Sequence, residues 1–351
     1  MQGKHTMKKK SAKQRSIEKK SAKQRSIEKK SSESKYVEKQ YTEKQLRWYK
    51  LIGKYKSQKE LFFMIIPCMI FTFIFCYMPL RGWIMAFQNF KPGKGYRGSK
   101  FVGLQQFEFL FKDKTFWQSL RNTLVMSTMN LVIGTVVALI FALLLNEIRQ
   151  VGRKRIVQTI SYLPHFLSWI IVCSLAADIL STTNSGVVNN LLLKLGIIDS
   201  PILFLGTKKY FWWIYVLINI WKEMGWNTII YIAAMAGIDQ SLYEAAEIDG
   251  ANRYQKMWHI TLPGIRPTII VILIMNLGWI LNTSFEIPYL LGQGLVLDVS
   301  ETLDLFVLRY GIKNGNFSLG TAGGLFKSFI SIILVSATTW FANHKSDEQI
   351  M

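Results

Sequence analysis

The sequence predicts an all-α integral membrane protein with six transmembrane helices. Three observations carry this: long uncharged apolar blocks, aromatic residues near their ends, and a lopsided distribution of positive charge. Half of the 351 residues are hydrophobic, and residues 61–80, 122–146, 156–177 and 267–285 contain no Asp, Glu, Lys or Arg. At about 1.5 Å per helical residue, each block can cross roughly 30 Å of hydrocarbon. Two further blocks complete the six: 210–238, interrupted by Lys222 and Glu223, and 317–343, interrupted by Lys327. Trp83, Trp117, Trp212, Trp213, Trp279 and Trp340 fall near block ends, where amphipathic rings settle at a membrane interface.

The formal net charge is +21, and residues 1–60 hold 20 Lys/Arg against 6 Asp/Glu. Such a segment is drawn to the anionic cytoplasmic leaflet, so the N-terminus is expected inside. No RNA-recognition motif accompanies the charge, and no nucleic-acid partner is expected. Ser11–Lys20 recurs unchanged as Ser21–Lys30. A charged repeat without Gly or aromatics cannot bury a core, so residues 1–40 read as a disordered basic tail. Residues 41–60 mix aromatic and basic side chains, as an amphipathic juxtamembrane helix would. Residues 61–346 then form the membrane domain.

Six crossings from an inside N-terminus leave three regions cytoplasmic. They are the basic segment with Arg149, Arg153, Lys154 and Arg155, the polar segment after span four, and the C-terminus. The first outer loop, 81–117, carries seven Lys/Arg of its own and opposes this orientation, but the N-terminal segment outweighs it. Within that loop, 91–100 reads as a Gly/Pro turn and 101–111 as an interfacial helix with apolar residues at 104, 107, 110 and 111.

Cys68, Cys76 and Cys173 all lie in predicted spans, which suits small hydrophobes better than disulfides or metal ligands. The first apolar run starts only at Leu61 and is long enough to remain as a span, so no cleavable signal is expected. No phosphate-binding GxxxxGK[ST], HExxH or paired-Cys motif occurs, and His5, His165, His259 and His344 are scattered. The chain is therefore expected to bind neither ATP in the P-loop manner nor a metal, and to need no cofactor.

The most specific signal is the polar segment 239–266. It holds Glu244-Ala245-Ala246, then Gly250, then Ile260, Leu262 and Pro263. Seven fixed positions at this spacing arise by chance about once in 10^8 starting points. Ser241 to Glu244 reads as a capping box opening a short helix to Asp249. Gly250 supplies a left-handed turn, and a second helix over 251–259 leads to Pro263, which lacks an amide donor. Helix, bend, helix makes a stiff knuckle.

This pattern resembles the EAA loop of membrane subunits of binding-protein-dependent ABC importers. The resemblance extends over about 61–346. Phe101-Val102-Gly103-Leu104 with Phe107, the Trp221–Asn227 stretch, Ser284-Phe285-Glu286, Arg309-Tyr310-Gly311 and Gly323–Phe326 look like the LplB-like carbohydrate branch, associated with oligosaccharide and polysaccharide-fragment import. It implies a MetI-like, type I importer permease in a bacterial plasma membrane, not an enzyme, with ATP bound by partner subunits. The implied partners are a second permease, two cytoplasmic ATPases, an extracytoplasmic solute-binding protein, membrane lipid and a carbohydrate. By the same resemblance Glu244, Ala245 and Ala246 face the ATPase, Gly250 permits the bend, and Ile260, Leu262 and Pro263 anchor the exit.

Two intramembrane groups are candidate path residues. Lys222 and Glu223 interrupt span four, and ionisable groups at that depth must face water, a bundle interior or each other. They line a path or brace the helix. Near the end of span five, Asn276, Trp279, Asn282, Thr283 and Glu286 offer amides, a hydroxyl and a ring suited to sugar. Positions 279, 282, 283 and 286 fall on one side of a continuous helix. Ordinary interhelical hydrogen bonding is the competing explanation. A polytopic enzyme or assembly factor acting on lipid or glycan is the alternative function.

Overall fold

The computed structural model describes residues 59–282 and 285–345. The basic tail 1–40, nearly all of the juxtamembrane segment 41–60, and Thr283 and Ser284 lie outside the described residues. The chain divides into two units at Leu80/Arg81.

In the first unit, helix α1 (Lys59–Thr72) continues through a wide turn over Phe73–Tyr77. Every side chain described from Leu61 to Leu80 is exposed, Phe63 at 79%. An all-round apolar helix with no protein cover is what lipid or a partner helix would solvate. The apolar helical stretch Phe63–Phe87, 25 residues, begins in this unit and runs past its end at Leu80.

The second unit begins with a two-stranded ribbon, β1 (Gln88–Asn89) against β2 (Lys100–Phe101), antiparallel with Gln88 opposite Phe101. It closes the Gly/Pro turn. Helix α2 (Gln105–Lys112) follows and buries Leu110. Asp113 then caps α3 (Lys114–Asn146), accepting from the Thr115 amide at 2.7 Å. Helices α4 (Val151–Tyr162), α5 (Trp169–Ile179), α6 (Val187–Lys194) and α7 (Lys208–Ala236) come next. They are followed by α8 (Gln240–Ile248), α9 (Arg253–Lys256), α10 (Arg266–Gly278), α11 (Glu286–Leu291) and α12 (Phe317–Lys345).

The long pair α3 and α7 forms the centre. Small residues on α3, Ala138 and Ala142, let Tyr231 and Met235 of α7 pack against them together with Ile265. A second cluster joins Met126, Cys173, Phe211, Tyr215 and Ile287. A third is aromatic, with Phe116 edge-on to both Phe306 and Phe326.

Among the described residues, three helices are long and apolar enough to span a membrane, or up to five if each of two bent pairs is one span. The expected continuous span 156–177 is one such pair. Val151–Phe166 and Trp169–Ile179 meet at 100°. Pro164 lacks an amide donor, Leu167 and Ser168 are extended, and the Ser168 hydroxyl starts the new helix by accepting from Ile171. The other bent pair lies at the entry to span five, where Arg253–Gly264 meets Arg266–Gly278 at 56°, and the helix of the expected span 267–285 stops at Gly278. Helix α7 has 29 residues but carries Lys208, Lys209, Lys222 and Glu223, and falls outside the apolar set. Six spans are therefore not reached on length and composition alone.

Candidate functional site

The knuckle has the expected shape with different caps. The helix α8 starts at Gln240, and Asp239 rather than Ser241 is its N-cap, accepting from the Ser241 amide at 2.9 Å. Bonds from the Ser241 backbone and side chain hold the Asp239 carboxyl below its ordinary range. Glu244 is thus two residues too late to close a capping box, and its side chain is left exposed. The carboxylate of Asp also complements the helix N-terminus, which a Ser hydroxyl does not.

At the other end Gly250 has φ +77°. The Ala251 amide donates to Ala246 O at 2.8 Å and the Gly250 amide to Glu247 O at 3.1 Å. This pair of bonds is a Schellman turn, whose left-handed residue costs an L side chain about 1 kcal/mol or more. A true capping box does occur, opening two residues after Gly250. The Asn252 side chain accepts from the Gln255 amide at 2.9 Å, and the Gln255 side chain accepts from the Asn252 amide at 2.7 Å. The second helical stretch then runs through Met257–Thr261 to Leu262–Gly264.

Two side-chain contacts join the arms, Tyr243 to Thr261 between hydroxyls at 2.9 Å and Lys256 to Glu247 at 3.6 Å. Ile260 and Leu262 are half-buried and Pro263 is exposed, whereas Thr261 and Ile265 are buried. Thr261 and Ile265 are the anchors the sequence did not single out. On the outer surface Ala245 is exposed beside Leu242, Ile248, Tyr254 and Trp258, and Ile248 is 88% exposed. Large apolar side chains left this exposed are candidates for a contact site.

A cleft of about 320 Å³ lies between α3, α7 and α10. Of the expected path residues, Glu223, Asn276, Trp279 and Asn282 line it. Lys222 and Glu286 do not, and Thr283 lies outside the described residues. The expectation of a shared helical face over 279–286 fails because α10 ends at Gly278 and Glu286 opens α11. Three more asparagines, Asn130, Asn219 and Asn227, join the wall. The i, i+4, i+8 spacing of Asn219, Glu223 and Asn227 in an apolar run was a legible signal for a polar stripe. Asn130 offered none without knowledge of how α3 meets α7. Amides present donors and acceptors together, which matches the dual character of hydroxyls.

Lys222 is buried and braces the bend between α4 and α5. Its Nζ donates to the His165 carbonyl, lies 3.4 Å from Glu223 Oε1, and stands 5.0 Å above the Trp169 ring. Glu223 Oε2 meets His165 Nδ1 at 2.7 Å, and the imidazole stacks on Trp226 at 4.3 Å. Gly225 completes the brace, since a Cβ there would stand 2.1 Å from Ser161 O. Thus Glu223 belongs to both cleft and brace, and Lys222 to the brace alone. His165, which looked isolated in sequence, is its third member.

A family model described as binding-protein-dependent transport system inner membrane component matches residues 131–346. The chain is 43% identical over 301 residues to the polygalacturonan/rhamnogalacturonan transport system permease protein YteP of Bacillus subtilis (strain 168), covering 86% of this chain and 93% of that one. It is 42% identical over 294 residues to Protein LplB of the same organism, covering 84% and 91%. A crystal structure of a bacterial ABC transporter involved in the import of the acidic polysaccharide alginate superposes with a TM-score of 0.78. It has 35% identity and covers 85% of this chain and all of that one. A crystal structure of a bacterial alginate ABC transporter in complex with alginate pentasaccharide-bound periplasmic protein gives a TM-score of 0.77 at 35% identity, covering 85% of this chain and 99% of that one. The brace, the cleft and the knuckle therefore sit on a helical, MetI-like permease fold, and this chain belongs to the family of inner membrane components of binding-protein-dependent transport systems.

Proposed function

We propose that the chain is one membrane-spanning half of an ATP-driven importer that moves a carbohydrate, most simply an oligosaccharide, through the asparagine-lined cleft. The carrying observation is the pairing of that cleft with a self-capped knuckle on one permease fold. Relatives named for polygalacturonan/rhamnogalacturonan and alginate transport support the substrate class. Membership of a transport family sets aside the enzyme alternative, because the chain is a permease component.

In this reading α7 is a full span, the bent pair from Val151 to Ile179 is one span, α10 carries span five, and six crossings place both termini and the knuckle inside. Two cytoplasmic ATPases, one on this chain and one on a second permease, seat the exposed face of α8 around Glu244, Ala245 and Ala246. The Schellman turn at Gly250 fixes the bend. Thr261 and Ile265 carry the motion into α3 and α7. A solute-binding protein delivers the sugar to the opposite face, and no cofactor is bound by this chain.

Orientation is tested by a single cysteine at position 244 in a variant lacking Cys68, Cys76 and Cys173. A membrane-impermeant maleimide should label it in inverted vesicles and not in intact cells. Labelling from outside intact cells contradicts the reading.

A further inference from the structure

A second cavity, of about 750 Å³, lies at the end of α7 that begins with Lys208, opposite the end that leads into the knuckle. At ~1.5 Å per residue the two ends of this 29-residue helix stand roughly 40 Å apart. The basin is charged where the cleft is not: Glu223 is the one formal charge on the cleft wall, whereas the basin is lined by Lys208, Arg309, Lys313, Asp298 and Glu301.

Two of these cations are paired, Lys208 with Asp298 at 2.7 Å and Arg309 Nη1 with Glu301 Oε2 at 2.8 Å. Lys313 forms no ion pair among the described residues, and its Nζ stands 5.3 Å over the Tyr289 ring. The basin is thus left with one positive charge in excess. The Nη2 and Nε groups of Arg309 donate no hydrogen bond among the described residues, although the guanidinium fork suits a second carboxylate.

Glu301 points to what else the ligand carries. Its side chain is 4% exposed, and Oε1 is buried with no partner. Burial pushes this carboxyl above its ordinary range against the pull of Arg309. A buried acceptor without a donor is costly, and a ligand hydroxyl or a water relieves it. The site therefore asks for a molecule with both a carboxylate and hydroxyl groups.

We propose that the basin binds a uronate residue of an incoming acidic oligosaccharide, its carboxylate on Lys313 and the open donors of Arg309, and a ring hydroxyl donating to Glu301 Oε1. This rests on the carbohydrate reading above and sharpens it to an anionic substrate class. Charge selection then takes place at the receiving face, ahead of the nearly neutral cleft.

The test is direct binding to the assembled importer, without ATP or binding protein, in phosphatidylcholine nanodiscs. Trigalacturonate and neutral trigalactose serve as probes. Trigalacturonate should bind with an affinity that falls with salt, and trigalactose at least about tenfold more weakly. Lys313→Gln, at an exposed position, should weaken trigalacturonate about tenfold and leave trigalactose unchanged. Glu301→Gln should weaken both, because the hydroxyl contact is common to them. Lys209→Gln, which removes the same charge outside the basin, should have no effect. Equal binding of the two sugars, or no response to Lys313→Gln, overturns the uronate site while leaving carbohydrate import standing. Binding of neither sugar overturns the uronate site, and carbohydrate import is judged separately by transport with the binding protein present. Loss of trigalacturonate binding when phosphatidylglycerol is added to the nanodisc assigns the basin to anionic lipid and overturns the proposal as well.

Discussion

The knuckle and the cleft are built on opposite principles. In the knuckle, nearly every polar group that could flex finds a partner within a few residues: Asp239 caps one helix, Asn252 and Gln255 cap the other, and the Schellman bonds close the turn between them. Large apolar side chains are left exposed on it, including Ile248 and Trp258. In the cleft the walls come from helices far apart in sequence, and five asparagines make up much of the polar lining. The first arrangement suits a part that must move as a unit and seat against another protein. The second suits a surface whose hydrogen bonds are to be made with something passing by.

The largest expected effect comes from breaking the knuckle's contact surface and turn together. Glu244→Lys with Gly250→Pro should abolish co-purification of the ATPase subunits with the membrane complex while the chain still inserts. Pro cannot adopt φ +77°, and the charge reversal sits on the exposed face. An intact complex from the double variant would show that the knuckle is not the docking element.

Next come changes to the brace. Lys222→Met removes one member of a buried charge pair and should cost about 3–5 kcal/mol, read as a fall in thermal midpoint of the purified complex. Lys222→Met with Glu223→Gln should recover part of that loss, because the uncompensated charge disappears. Gly225→Ala forces α7 away from Ser161 and should cost about 1–3 kcal/mol. A Gly225→Ala protein as stable as the parent would mean that this helix contact is looser than drawn.

A smaller effect is expected in the cleft. Asn276 and Asn282 are exposed to the opening, so Asn276→Leu and Asn282→Ala should leave the thermal midpoint nearly unchanged. Transport of the cognate sugar should weaken several-fold, through the lost hydrogen bonds. Lost stability with unchanged transport would return these residues to ordinary helix packing.

The smallest effect is that of acid on the knuckle. The folded carboxyl of Asp239 is depressed, so its contribution is present above the unfolded carboxylate range and disappears as pH falls through the lower folded value. At neutral pH, acidification by one or two units should leave amide exchange in α8 unchanged, and fraying should begin only well into the acid range.

The same contrast explains what the sequence could reveal. The knuckle was legible almost whole because its determinants are contiguous, and even its error was small, Asp239 serving where Ser241 was expected and the capping box falling at Asn252. Both are good capping residues, and only the chain's exit angle from α7 chooses between them. The membrane class was legible from uncharged blocks, but the kinks were not: Pro164 announces a break without stating 100°. The cleft was half legible. Asn276, Trp279 and Asn282 reach it, but the helix was expected to run on past Gly278, which misplaced Glu286. Lys222 and Glu223 were one signal in sequence and became two roles, because His165, 57 residues away from Lys222, supplied the carbonyl that fixes the lysine.

The central claim is that the bend at Gly250 transmits ATPase closure because it is stiff and left-handed. The most direct measurement is ATP hydrolysis by the reconstituted importer, stimulated by sugar-loaded binding protein, for Gly250→Asn beside Gly250→Val. Asn tolerates the left-handed region and a β-branched residue does not. Near-parental stimulation in the Asn variant, with stimulation lost in the Val variant although the ATPases remain bound, is the expected result. Equal stimulation in both variants would contradict the account.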